Sequence, residues 1–321
     1  MKKGVKIWII AAALLVAVGG ILFTCTMTAL GWDFSRLSTV SLESAEYDIT
    51  DDFNGISIVT DTSDIIFIPS EDGKTRVVCR EEENARHSVS VNNGILEITQ
   101  NNSKKWYEHI GFSFAAPKIT VYLPKSEYGA LKISSETGDI NIPKDFKLDS
   151  AEISLSTGDV NFRASVSEAV KIKATTGDIL FKDVSAGNVD ISVSTGDVTL
   201  TGLSCIGDVK VKVTTGEVLL KDVTCNALTS SGSTGDIVMK NVIAAEKMSV
   251  KRSTGDVELE GCDASEIFIE TSTGDVEGTL LSEKQFIVKT DTGERDVPNT
   301  VNGGRCEITT DTGDVEIELI N

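Results

Sequence analysis

The sequence repeats a Thr-Gly-acid triplet ten times between residues 137 and 314, and its glycines are 19 or 20 residues apart. A fixed period of this length is typical of architectures in which identical units stack on one another. The repeat therefore constrains the fold more than any other feature. The turn glycines are Gly138, Gly158, Gly177, Gly196, Gly216, Gly235, Gly255, Gly274, Gly293 and Gly313.

Apolar residues alternate with polar ones on both sides of each triplet. Val189, Ile191 and Val193 precede Gly196, and Val198 follows it. This period of two, mostly in β-branched residues, predicts strands with one buried face. Each repeat is therefore read as a strand, a turn at the triplet, a second strand and a second turn.

Stacked repeats of this kind can bury a common core. A flat antiparallel meander would leave one face of its sheet uncovered, whereas a coil turns every inward residue toward one interior. We predict an all-β, single-domain parallel β-solenoid with coils of 19–20 residues, stacked about 4.8 Å apart. The sequence leaves the handedness of the solenoid open.

The N-terminal segment predicts a membrane anchor. Residues 7–30 contain no charged side chain, and Lys2, Lys3 and Lys6 precede them. The run is long enough to span a bilayer, and the lysines favour a cytoplasmic amino end. We predict a cytoplasmic tail (1–6), a transmembrane helix (7–30) and a C-terminal domain outside a single-pass cell membrane. A cleaved signal peptide is the alternative.

The remaining boundaries follow from the repeat. We predict a linker over residues 31–50, an irregular N-terminal part of the solenoid over 51–130, and the regular repeats over 131–321. The segment 100–117 concentrates aromatic residues and is predicted to be either a contact loop or a flap over the first coil. Its aromatic residues are Trp106, Tyr107, Phe112 and Phe114.

The charge and the chemistry of the side chains limit the function. The formal net charge of −19 excludes nucleic acid and disfavours anionic membrane surfaces as partners. His87 and His109 are the two histidines, and no local motif places either beside a nucleophile. The six cysteines show no CxxC spacing, so no zinc site is predicted. We predict a protein that is not an enzyme and has no cofactor.

Cys205 and Cys225 each lie nine residues after a turn glycine. The coil would stack them one turn apart, either as small apolar filler or as a disulfide. The sequence leaves this choice open.

The acids after the turn glycines are the weak candidates for a metal site. Their predicted role is a structural ladder in which the carboxylates accept hydrogen bonds from turn amides, and calcium between coils is the alternative. The residues are Asp159, Asp178, Asp197, Asp236, Asp256 and Asp275.

The N-terminal span, the strand end at Leu123–Pro124 and the serial TGDV runs resemble the bacterial putative-adhesin family, a group of unknown function with TGD repeats. The resemblance covers about residues 50–321. It implies a membrane-anchored or secreted envelope protein and supplies no catalytic residues. 

Together these features predict a non-enzymatic, adhesin-like binding module on the outer face of a bacterial membrane. Its ligand would be an envelope protein or a glycan. An envelope-stress regulatory protein and a carbohydrate-active β-helix enzyme are the alternatives. The oligomeric state is not predicted.

Overall fold

The structure, a computed structural model, describes residues 3–33, 42–102 and 116–320. It confirms the predicted fold class, because one helix is followed by 23 strands that form a single sheet coiled into a solenoid. We call each turn of the solenoid a rung and name a rung by its turn glycine.

Helix α1 runs from Lys3 to Ala29 and is 27 residues long. At 1.5 Å per residue it is about 40 Å long, which exceeds the roughly 30 Å of a bilayer's hydrocarbon core. In the most apolar 18-residue stretch of this helix, no side chain is buried against the rest of the protein. By length and composition α1 fits a single membrane-spanning helix, and a signal sequence passes the same test.

Seven strands form the N-terminal end of the rod. Three of the pairings among them are antiparallel: β1 with β4, β4 with β7, and β5 with β6. The strands are β1 (Leu42–Ile49), β2 (Gly55–Thr62), β3 (Asp64–Pro69), β4 (Thr75–Glu82), β5 (Ala85–Asn92), β6 (Ile95–Asn102) and β7 (Lys118–Leu123).

Strand β1 lies inside the segment that the sequence assigned to a linker. Residues 42–49 pair in register with β4, from Leu42 opposite Glu82 to Ile49 opposite Thr75. The linker prediction is therefore wrong for this part of residues 31–50. Its side chains are only half-buried or exposed, so the strand carries a weak apolar alternation that the sequence alone does not reveal.

The remaining strands form the regular rod and pair in parallel. Their register is set by the turn glycines, so that Ile153 lies opposite Ile133 on one side and Ile172 on the other. The strands are β8 (Glu127–Thr137), β9 (Ile140–Ile142), β10 (Lys147–Thr157), β11 (Val160–Phe162), β12 (Ser165–Thr176), β13 (Ile179–Thr195), β14 (Val198–Cys205), β15 (Val209–Thr215), β16 (Val218–Thr234), β17 (Ile237–Lys251), β18 (Val257–Thr273), β19 (Val276–Leu280), β20 (Lys284–Thr292), β21 (Arg295–Asp296), β22 (Gly304–Thr312) and β23 (Val315–Leu319).

The last two rungs do not follow chain order. Strands β18 and β19 pair with β22 and β23, which in turn pair with β20 and β21. The Gly313 rung therefore lies between the Gly274 and Gly293 rungs, and the Gly293 rung ends the rod. The expectation that the repeats stack on one another in chain order is wrong here.

The composition of the Gly293 rung explains its terminal place. Arg295 takes a position that is apolar in the central rungs, and its side chain is exposed. Inside the stack this guanidinium would lose its hydration, whereas at the end of the rod it reaches solvent and donates to the Thr290 carbonyl at 3.0 Å. The more regular Gly313 rung fills the interior place.

The N-terminal end is interleaved in the same way. Strand β2 pairs with β8 on one side and with β6 on the other, and β3 pairs with β9 and with β7. The chain thus forms the rung of β2 and β3 first and then adds strands β4 to β7 on its outer side. It continues as β8 and β9 on the opposite side of the same rung. The antiparallel strands at this end cover the edge of the parallel stack. Their side chains do not follow the pattern of the repeats.

Candidate binding surface

The ten turn glycines line up along the rod with φ between 120° and 156°. Each glycine N–H inside the stack donates to the threonine carbonyl of a neighbouring rung, as from Gly196 to Thr215 at 3.0 Å. A Cβ on Gly196 would lie 2.2 Å from the carbonyl oxygen of Gly177. The column serves close backbone stacking and exposes no reactive group.

The acids after these glycines form an exposed column whose bonds join different rungs. Oδ1 of Asp159 accepts the N–H of Asp178 at 2.8 Å, and Oδ1 of Asp178 accepts the N–H of Asp197 at 2.8 Å. The predicted ladder assumed bonds within each turn, whereas the structure directs each carboxylate to the amide of its neighbour. Calcium binding by this column stays an untested alternative.

Glutamate replaces aspartate at two positions in this column. Glu217 donates its N–H to Asp197 Oδ1 at 2.7 Å, but among the described residues its own carboxylate accepts no bond from Asp236. Glu294 lies in the terminal rung, where the ladder has no further amide to engage. Glutamate, which is one methylene longer than aspartate, therefore occurs where the ladder is interrupted or ends.

This contrast gives a matched pair of substitutions. We expect Asp197→Ala to destabilise the protein by about 1 kcal/mol, because the Glu217 amide loses its acceptor. Asp197→Asn should cost less, since its amide oxygen still accepts. Glu217→Ala removes the same charge without removing a ladder bond and should be close to neutral. Urea unfolding of the three variants would measure this order, and equal losses for Asp197→Ala and Glu217→Ala would contradict the ladder.

Of the other candidate residues, the structure describes the two cysteines but not the aromatic residues of the segment 100–117. Trp106, Tyr107, Phe112 and Phe114 lie outside the described residues. Cys205 and Cys225 are both free and buried. Cys205 Sγ donates to the carbonyl of Gly187 at 3.3 Å.

One expectation about the histidines is wrong. His87 was not expected beside a nucleophilic side chain, yet a ligand atom of His87, one of Cys79 and one of Glu81 all lie within 4.8 Å of one another. The sequence did not reveal this cluster, because it lies on β4 and β5, outside the repeats whose periodicity identifies inward positions. Burial, and to a lesser extent the charge of Glu81, raises the pKa of the Cys79 thiol to about 12.

One outer face of the rod carries the clearest candidate surface. Four residues before each turn glycine, serine and lysine alternate over six consecutive rungs from Ser154 to Lys251. Parallel pairing places these residues side by side. We call this the serine–lysine column: Ser154, Lys173, Ser192, Lys212, Ser231 and Lys251. Sequence analysis missed it because, apart from the turn triplets, only the inward positions were compared between repeats.

A second hydroxyl-bearing column runs beside the first, two residues before each glycine. It consists of Ser156, Thr175, Ser194, Thr214, Ser233, Ser253 and Ser272, all exposed. Where the two columns meet the N-terminal rungs they line an open groove of about 620 Å³. Hydroxyls both donate and accept hydrogen bonds, so this face offers a repeating set of polar contacts.

The lysines of this face differ in their partners. Lys251 forms an ion pair with Glu270 at 2.7 Å. In the part of the chain that the structure describes, Lys173 and Lys212 form no ion pair. Lys173, Ser192 and Lys212 are adjacent in register, so the two free ammonium groups are two rungs apart. A chain with a formal charge of −19 thus exposes a local cationic strip.

Comparison with solved structures finds similar folds. A putative adhesin from Parabacteroides distasonis shares 14% identity, covers 74% of this chain and 98% of its own, and gives a TM-score of 0.52. A putative lipid binding protein from the same species shares 20% identity over 74% and 97% of the two chains, with a TM-score of 0.49. A putative adhesin from Bacteroides fragilis shares 16% identity over 87% and 97%, with a TM-score of 0.46.

A search of curated proteins found no match. The sequence pattern of a single family, described as Toastrack DUF4097, matches residues 53–222 and again residues 205–321. The two matches overlap within the repeats and together include the β2 strand, the acid column and the serine–lysine column. The chain therefore belongs to the Toastrack DUF4097 family.

Proposed function

We propose that this protein is a non-enzymatic binding module held at the outer face of a bacterial membrane, and that its serine–lysine face binds an anionic glycan of the envelope. Helix α1 supports the anchor by its length and composition. The lysines at positions 2, 3 and 6 favour a cytoplasmic amino end, which would leave the solenoid outside. The names of its structural relatives, putative adhesins among them, agree with a binding role.

The alternation of serine and lysine along the rod carries this proposal. The fold requires the inward apolar residues and the turn triplets, but it places no demand on an exposed position four residues before each glycine. Those positions nonetheless alternate hydroxyl and ammonium groups along the rod, so each kind of group recurs every two rungs, about 10 Å apart. A polymer with a regular repeat could make the same contact several times along such a face, and repeated contacts raise avidity.

The charge of the ligand follows from the lysines. Lys173 and Lys212 face solvent without a carboxylate partner among the described residues, so an anionic ligand would supply their counter-charge. The rest of the molecule is acidic and would repel a polyanion elsewhere. Binding should therefore be confined to this strip and should weaken as salt rises.

Three features favour binding over catalysis. His87 is 3% exposed, so an external substrate cannot reach its ring. The raised pKa of Cys79 keeps that thiol protonated at neutral pH. Among the described residues, no carboxylate or imidazole hydrogen-bonds a hydroxyl of the serine–lysine column, which suits recognition better than bond cleavage.

A pair of double variants tests the surface. Lys173→Glu with Lys212→Glu should weaken binding of polygalacturonate to the full chain in nanodiscs by about tenfold or more, since about 1.4 kcal/mol is lost per factor of ten. Lys182→Glu with Lys221→Glu is the control. It reverses two lysines that are also two rungs apart, on another face of the rod.

Surface-plasmon resonance at two salt concentrations, with neutral dextran as a second ligand, would measure the effect. We expect the control pair to bind polygalacturonate within about twofold of the unaltered protein, an affinity difference below about 0.5 kcal/mol. Equal losses in both double variants, or no binding by the unaltered protein, would contradict the proposal.

A further inference from the structure

The cluster of Cys79, Glu81 and His87 lies inside the N-terminal end of the rod, away from the proposed binding face. Cys79 and Glu81 alternate on the inward side of β4, and His87 points inward from β5. Their exposed fractions are 0%, 2% and 3%. Such complete burial of a thiol, a carboxylate and an imidazole requires that each be neutral or paired.

The hydrogen-bond donors and acceptors around His87 determine which of its ring nitrogens carries hydrogen. Gln100 Oε1 accepts the backbone N–H of Asp61 at 2.6 Å, so the Thr60 hydroxyl, 2.8 Å away, donates to the same oxygen. Thr60 Oγ1 then has only lone pairs left for His87 Nε2 at 3.1 Å. Nε2 therefore carries hydrogen, and the lone pair of the neutral imidazole is on Nδ1, which faces Glu81.

The contact between Nδ1 and Glu81 needs a cation. Nδ1 lies 2.7 Å from Glu81 Oε2, which also accepts the backbone N–H of His87 at 2.7 Å. A neutral imidazole nitrogen and a carboxylate oxygen both present lone pairs here, and they repel unless a positive species lies between them. A proton can take that place, as in a buried ion pair, and so can a metal ion bound by both atoms.

Cys79 makes the metal the better match. Its Sγ lies in the same cluster and makes no hydrogen bond in the described part of the chain, so it offers a third ligand atom that a Glu81–His87 ion pair does not use. The hydroxyl of Tyr47 is held beside the cluster by a 3.0 Å bond to the carbonyl of His87. Sulfur, nitrogen and oxygen ligands together are the set that Zn²⁺ prefers, whereas Ca²⁺ and Mg²⁺ select oxygen alone.

We propose that Cys79 Sγ, a carboxylate oxygen of Glu81 and His87 Nδ1 bind one Zn²⁺ ion in the N-terminal end of the solenoid. The bond from His87 Nε2–H to Thr60 acts as an outer-shell contact that orients the ring and keeps Nδ1 free for the metal. The fourth position belongs to water or to the Tyr47 hydroxyl. This inference is independent of the proposed glycan binding.

The proton balance keeps the buried site neutral. On binding, the thiol releases one proton and the Glu81–His87 pair releases the proton that it shares, while Zn–S, Zn–O and Zn–N bonds form. The two charges of Zn²⁺ are then balanced by one thiolate and one carboxylate. Neutrality avoids the large cost of an uncompensated charge in a protein interior.

The ion would tie together the strands that lack the repeat's own supports. Strands β4 and β5 lie outside the glycine and acid columns, so neither column stabilises the hairpin of β5 and β6. Metal bonds from β4 to β5 would supply that link and would add to stability as a structural zinc site does. Chelation should therefore loosen this end and leave the regular rungs folded.

Metal titration of the full chain in detergent tests the site. After treatment with a chelator, the protein should bind one Zn²⁺ per chain and unfold at a higher temperature. Co²⁺ in place of Zn²⁺ should give a thiolate-to-cobalt charge-transfer band. Cys79→Ser should lose this band and bind Zn²⁺ at least about 100-fold more weakly. Cys262→Ser removes another buried thiol, one in the rod, and should keep both properties.

Several results would overturn the proposal. The absence of a charge-transfer band in the unaltered protein would do so without any variant, and so would a Zn²⁺ stoichiometry of zero. Retention of the band in folded Cys79→Ser, or its loss in folded Cys262→Ser, would assign the metal to another place. If Cys79→Ser does not fold, His87→Gln takes its role, with a changed cobalt spectrum expected and an unchanged one contradicting the site.

Discussion

Gly196→Ala should destabilise the protein by about 4 kcal/mol or more, an effect at the upper end for a single substitution. The added Cβ would lie 2.2 Å from the Gly177 carbonyl oxygen and 2.7 Å from its carbon. Both are backbone atoms within the stack, so neither moves without disturbing neighbouring rungs. The N–H of Gly196 also donates to Thr215 at 3.0 Å, and a shift that relieves the contact would weaken this bond. Thermal unfolding followed by circular dichroism would measure the loss.

Substitution of a second glycine, Gly73, distinguishes the cost of the steric contact from the cost of the left-handed backbone angle. Gly73 has φ of 70°, but a Cβ there would meet nothing within 4 Å. Gly73→Ala should therefore cost only the strain of a left-handed backbone, about 1 to 2 kcal/mol. The difference between the two variants measures the stacking contact. A loss at Gly196 no greater than that at Gly73 would show that the rungs are not as close as the structure indicates.

The central rod could be predicted from the sequence because its constraints are local and repeated. The offsets of Val189, Ile191 and Val198 from one glycine recur around the next, so periodicity alone identifies the inward face. A further column is visible in the same way: only Gly, Asp and Asn occur six residues after the central glycines, where φ is 53° to 66°. This column consists of Asp183, Gly202, Asp222, Asn241 and Gly261.

The two ends could not be predicted in the same way. The exchange of the Gly293 and Gly313 rungs depends on which strand edge is better placed next to the Gly274 rung, and each of these rungs has a Thr-Gly-acid triplet. Because the register repeats, either rung can form the same backbone pairing with the Gly274 rung. The order of the rungs along the rod is then decided by small differences in side chains, such as Arg295. Strand β1 depends on antiparallel pairing with the distant strand β4, for which no repeat provides a register. The Cys79 cluster lies on β4 and β5, outside the periodic pattern that identifies inward positions in the rod.

The candidate surface was missed for a different reason. Exposed positions contribute little to folding, so the alternation of Ser154, Lys173, Ser192 and Lys212 has no bearing on strand assignment. It becomes visible only when outward positions are compared at the same offset from each glycine. A sequence search that treats the outward columns separately from the inward ones would find such faces in other solenoids.

Ile191→Asp should have the second large effect, a destabilisation of about 4 kcal/mol or more, because it buries an unpaired carboxylate. Ile191 is 0% exposed and lies in register between Ile172 and Val211. The adjacent Ser192 points outward between Lys173 and Lys212. Ser192→Asp adds the same charge one residue away and should change stability by less than about 0.5 kcal/mol.

The comparison of these two neighbours tests the register of the whole rod. Side chains alternate with a period of two, so a slip of one residue would exchange the inward and outward faces of every rung. It would also bury the serine–lysine column and expose the apolar core. Thermal melts in which Ser192→Asp is the more damaging variant would require that slip. Melts in which only Ile191→Asp unfolds early would place the lysines of the proposed binding face in solvent, where an external ligand can reach them.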